Sequence, residues 1–91
     1  MIHIEQAEAT DLETIISIQR ASFKAVYEKY HDQYDPYLED RERIKWKLVE
    51  RLNSFYYFVK DDEKIVGFLR LQTNDERTKG WLGTAAILPQ Y

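Results

Sequence analysis

The sequence predicts an α+β fold, with two helices and a mainly antiparallel sheet in the order β-α-α-β-β-β, and three observations carry it. Two stretches in the first half, one from Leu12 to Tyr30 and one from Ile44 to Leu52, repeat their apolar residues at the helical period. From Phe55 onward the pattern changes to aromatic and β-branched runs suited to strands. Two charged segments, DDEK and NDERTKG, then divide three consecutive strand-like runs as the turns of a meander would.

Each element follows from its residues. Ile2 to Glu5 alternates apolar and polar, enough for a short first strand. Thr10-Asp11-Leu12-Glu13 fits a capping box, in which the Thr10 hydroxyl and the Glu13 carboxylate would satisfy each other's backbone amides. At 100° per residue Leu12, Ile15, Ile16, Phe23, Val26, Tyr27 and Tyr30 share one side, with Gln19 in the middle of the stripe. Asp35-Pro36 suits the N-cap and first position of a second helix, whose buried side would carry Ile44, Leu48, Val49 and Leu52 while Trp46 points away. FYYFVK is a strand with apolar groups on both faces, IVGFLRLQT is its hairpin partner, and Trp81 to Leu88 is the last strand. Gly67 and Gly83 mark bulges or close backbone approach.

Ninety-one residues make one domain, 1-91, with room for a single core. Hydrophobic residues at 44% and charged residues at 32%, with 3 Gly and 2 Pro, belong to a globular chain rather than a disordered one. The balance of 13 Lys and Arg against 16 Asp and Glu gives a net charge of -3, which argues against nucleic acid as a partner. Without cysteine there is no disulfide framework, no thiolate zinc site and no thiol nucleophile. His3 and His31 are not spaced with other ligands, so no metal is expected. No basic leader with an apolar run opens the chain and no stretch is long and apolar enough for a membrane span, so a cytoplasmic protein without a membrane partner is expected.

Three segments, IEQAEATDLETIISI, EKIVGFLRL and AAILPQY, in this order with two helices before the hairpin, resemble the N-terminal half of the GNAT superfamily of acetyl-CoA-dependent N-acetyltransferases. They are similar to the family's first strand and helix, its third strand with the recurring V-G, and its fourth strand running into V-x-P-x-Y. In the family the tyrosine position precedes Q/R-x-x-G-x-G/A, a loop whose amides cradle the coenzyme A pyrophosphate. The sequence stops before such a loop, so the resemblance implies a first half, with little activity by itself.

The resemblance further implies a direct mechanism, with acetyl-CoA as co-substrate and a small-molecule or peptide amine as acceptor. The backbone groups of Ala85, Ala86 and Ile87 would by position face the pantetheine and thioester, small alanines permitting close approach; the alternative is a crowded strand packed beneath a helix. Gly80 to Leu88 holds no ionisable residue, so the glutamate that some members carry on this strand has no counterpart, and the catalytic acid and base stay unassigned. Gln19 and Tyr30, near the acceptor side, are candidate acceptor contacts, although a glutamine inside an apolar stripe equally serves to cap a neighbouring backbone group. Tyr30, Tyr34, Tyr37 and Trp46 could wall the acceptor pocket, belong to the core or contact a partner. Six acids between Glu28 and Glu42, Asp35 and Glu39 among them, would draw a cationic amine, or simply form a solvated surface. Leu82 to Leu88 carries no charge to guard its edge, so self-pairing into a homo-oligomer is expected. A non-catalytic interaction module is the competing reading.

Overall fold

A computed structural model describes residues 1–91. β1 (Ile2–Gln6) leads through a 3-10 turn into α1 (Leu12–Tyr30). A second 3-10 turn, Pro36–Leu38, precedes α2 (Arg41–Lys45), which runs into a π-helical turn, Trp46–Glu50. β2 (Ser54–Asp61), β3 (Lys64–Thr73) and β4 (Gly80–Ile87) complete the chain. The four strands form one antiparallel sheet in the order β1-β2-β3-β4, so the predicted α+β order and hairpins are observed.

The helices cover one sheet face. Leu12, Ile15, Ile16 and Ile18 of α1 and Ile44 of α2 pack on Tyr56, Phe58, Phe68 and Ala86, whose side chains the strand alternation turns to the same face. Burial of a side chain of this size contributes about 1.5–3 kcal/mol. Ile15, Ile44 and Phe68 are fully enclosed, so truncating any one to alanine removes about 2–5 kcal/mol. The other face stays open: Ile4, Tyr57, Leu69, Leu71 and Leu82 line an apolar groove of about 260 Å³.

Four local expectations fail for identifiable reasons. Thr10 does not cap α1; the Asp11 carboxylate instead accepts from the Glu8 amide at 2.8 Å, locking the 3-10 turn through which the chain enters the helix. The buried stripe of α1 fades beyond Phe23, leaving Val26 and Tyr30 exposed, because the core against which α1 packs reaches only its Leu12 to Phe23 part. Asp35-Pro36 opens only the short 3-10 turn, since Glu39 returns the backbone to an extended conformation and Asp40 caps the real helix. Val49 and Leu52 lie in solvent because the Arg51 amide bonds back to the Trp46 carbonyl, a five-residue step that rotates the stripe off the core.

Both predicted glycine roles hold. A Cβ on Gly67 would collide with the Ala86 carbonyl oxygen, so glycine lets β4 lie close against β3. Gly83 is the additional residue of a bulge, because Arg70 pairs with Thr84 while Leu71 pairs with Leu82.

Candidate functional site

The segment after α1 is a series of side-chain-capped turns. His31 closes the helix in the left-handed region, at φ 51°, with its amide on the Tyr27 carbonyl at 2.7 Å. Asp32 accepts from the Tyr34 amide at 2.9 Å, Asp35 from the Tyr37 amide at 2.9 Å and Asp40 from the Arg43 amide at 2.8 Å. Carboxylates suit this work because they accept from backbone amides that have no other partner at a turn or helix start.

Gln19 ties the segment to α1. It is 1% exposed, and its amide nitrogen donates to the Pro36 carbonyl at 2.7 Å and to Glu39 at 3.0 Å. The other oxygen of Glu39 receives Lys47 and the Arg43 Nε, the latter at 3.3 Å. Glu39 and Lys47 are both largely shielded from solvent, so this pair fixes α2 against the loop. The acidic run is therefore not a free acidic patch: its carboxylates cap turns or pair with nearby cations, Glu28 with Lys24 and Glu42 with Arg41 included.

A cleft of about 420 Å³ lies between this segment and β4. Asp35, Glu39, Arg43 and Lys47 line one wall, and Gly83 and Thr84 line the other. Of the acceptor candidates, Asp35 and Glu39 reach the cleft and Gln19 braces Glu39. Tyr30 does not: it is 65% exposed, with the Lys29 ammonium 5.2 Å from its ring centroid, and it forms no part of the cleft. The aromatic wall is not assembled either. Tyr37 stacks on Tyr27 at 5.1 Å and Trp46 lies under Arg51, leaving Tyr34 alone at the cleft.

β4 continues from the cleft wall into Ala85, Ala86 and Ile87. The Leu88 amide donates to the Val66 carbonyl at 2.8 Å, and the register pairs Phe68 with Ala86. Antiparallel ladders alternate bonded and non-bonded pairs. Ala86 is thus a bonded partner of Phe68, with its methyl in the core, whereas Ala85 and Ile87 direct their N–H and C=O groups toward the open edge. The three residues expected to act together divide into two that are free and one that is not.

Three polar residues on the covered face were not singled out from the sequence. Arg70 is 6% exposed; its Nη1 donates to Ser54 at 3.0 Å and to Gln72 at 2.9 Å, and Gln72 donates to the Leu52 carbonyl at 3.1 Å. Period two along β3 places Arg70 and Gln72 with Val66 and Phe68, which is the signal that could have found them. Burial holds the Arg70 pKa below its ordinary value. Beside it, burial first and the Glu39 charge second raise the Tyr56 phenol above its usual value of 10.0.

The model of the acetyltransferase (GNAT) family matches residues 12–91. The chain belongs to that family. Its fold agrees with the PaiA N-acetyltransferase of Thermoplasma acidophilum in complex with coenzyme A, at 23% identity and a TM-score of 0.71, covering 100% of this chain and 61% of that one. A possible acetyltransferase from Clostridium difficile 630 is similar over 100% of this chain and 60% of that one, at 19% identity and a TM-score of 0.65. An aminoglycoside acetyltransferase from an uncultured soil metagenomic sample, in complex with sisomicin, is similar over 98% and 57%, at 22% identity and a TM-score of 0.64. The chain thus spans about three fifths of the solved GNAT structures it matches. No curated protein sequence matches it. Acetyl-CoA is the family's co-substrate, and no helix here is long and apolar enough to cross a membrane.

Proposed function

We propose that these residues form the acceptor side and the cofactor-facing strand edge of an N-acetyltransferase that moves an acetyl group from acetyl-CoA to a primary amine by direct attack. The observation that carries this reading is the adjacency of a polar cleft to an open strand edge: Gly83 and Thr84 line the cleft, and Ala85 follows at once with unpaired backbone groups. The bound thioester supplies an activated carbonyl carbon. Around it, the chain's task is positioning and electrostatics. The neutral amine, held in the cleft, attacks that carbon; the C–N bond forms, the carbonyl oxygen takes up negative charge, and the C–S bond breaks as the thiolate leaves. An outward-facing β4 amide, from Ala85 or Ile87, is suited to donate to the charged oxygen, and the amine's surplus proton completes the thiol product.

The chain's three glycines form no G-x-G cradle, so we expect the 91 residues alone to bind acetyl-CoA weakly and to turn over little or no amine. Calorimetric titration of the chain tests this; low-micromolar binding would contradict the assigned geometry. In a protein that includes the family's phosphate loop, acetyl transfer to primary amines is expected, and its absence with every amine would remove the enzymatic reading.

A second reading concerns partners. Leu82 is 58% exposed and Ile87 46% exposed on a strand with one free edge, next to the apolar groove on the open sheet face. Such an edge favours pairing, and we expect a homo-oligomer through β4. Sedimentation at micromolar concentration checks it: a monomer unchanged by Leu82→Lys would exclude this contact.

A further inference from the structure

We propose that the Gly83–Thr84 wall of the cleft holds a carboxylate carried by the amine acceptor, so that the acceptor is a small amino acid or an equivalent amino-carboxylate. The inference rests on the reading of the cleft as the acceptor side and adds the acceptor's second functional group. Its starting point is Arg70. This cation is more than nine-tenths buried, forms no ion pair, and keeps an Nε that neither solvent nor any protein acceptor reaches. A buried charge is ordinarily matched by an opposite one, because desolvation without a partner is costly. Arg70 has only the neutral oxygens of Ser54 and Gln72.

The place of that guanidinium points to the cleft. It fills the space that a side chain on Gly83 would need, so that glycine and the bulge bring the cation against the β4 wall. The charges around the cleft are unequal. Asp35 and Glu39 stand against Arg43 and Lys47 on the cleft lining, and Arg70, packed against Gly83, adds a third cation behind the β4 wall. Glu39 engages Lys47 and one nitrogen of Arg43, which leaves donors of both cations at the cleft without a protein partner. A carboxylate, planar with two acceptor oxygens, is the anion that guanidinium donors fit best. One Asp35 oxygen also carries no protein hydrogen bond and can receive an N–H of the amine.

The test uses the 91-residue chain and the ¹⁵N–¹H signal of the Arg70 Nε, identified through its couplings to the Arg70 backbone. Three ligands of matched length are titrated: β-alanine, propionate and 1,3-diaminopropane. The expected result is a saturable shift with β-alanine, a similar shift with propionate at weaker affinity, and none with the diamine. Arg43→Gln should weaken β-alanine about tenfold, the effect of one charge-assisted hydrogen bond, without changing signals far from the cleft. An Arg70 signal unmoved by both carboxylates, an equal response to the diamine, or unchanged affinity in Arg43→Gln would each overturn the proposal. In a protein that includes the family's phosphate loop, acetyl transfer to 1,3-diaminopropane without carboxylate binding would remove the subsite and leave the proposed function standing; carboxylate binding with no acetyl transfer to any amine would do the reverse.

Discussion

The two walls of the cleft differ in what their polar groups are doing. On the loop wall each charged side chain is engaged: Asp35 caps a turn, and Glu39 joins Gln19, Arg43 and Lys47. On the β4 wall there is no ionisable side chain, yet backbone groups of Ala85 and Ile87 are free and an unmatched cation stands behind Gly83. The difference teaches that charge density in a sequence marks where a loop is held together, while unpaired backbone groups lie on a strand whose side chains look inert.

Four changes break or sharpen the comparison. Glu39→Gln should cost the most, about 3–4 kcal/mol in urea unfolding, because it leaves the shielded Lys47 without its anion. Unchanged stability with a raised KM for amines would make Glu39 a ligand group and erase the contrast. Gly67→Ala should cost about 2–3 kcal/mol, since the new Cβ meets the backbone of β4 rather than a movable side chain, and acetyl-CoA binding should fall with it. Asp40→Ala, the loss of one helix cap, should cost about 1 kcal/mol and leave ligand binding untouched.

The smallest effect is on pH. The folded protein holds the Tyr56 phenol neutral beyond its ordinary value of 10.0, so unfolded chains release this proton first as pH rises. The contribution is fully present below that value and is lost as pH climbs through the raised one. Urea midpoints measured from about pH 9 to about pH 11 should fall, and Tyr56→Phe should flatten part of the slope. An identical slope in the variant would mean that Tyr56 reaches water.

How far the sequence reveals this molecule depends on the range of the interactions. The hairpins, the α1 stripe as far as Phe23 and both glycines were legible, because period, turn composition and the absence of a Cβ are local properties. The break after Leu38 was not, because Asp35-Pro36 opens a 3-10 turn as readily as an α-helix and the outcome is set by Glu39 bonding to Gln19, 20 residues away. For the same reason the sequence hid that Asp35 and Glu39, which line the cleft, are engaged in a turn cap and in ion pairs. Tyr30 lies outside the cleft, exposed at the last residue of α1. Arg70 escaped notice inside a strand judged by its apolar residues.

The most direct measurement follows the backbone amides of β4 in the 91-residue chain as acetyl-CoA is added, read by ¹⁵N–¹H NMR. If the strand edge is the cofactor-facing surface, Ala85 and Ile87 should shift together and saturably, while Ala86, bonded to Phe68 across the ladder, should barely move and stay protected from hydrogen exchange. Shifts centred on Ala86, or on the outer edge at β1 with β4 silent, would contradict that assignment.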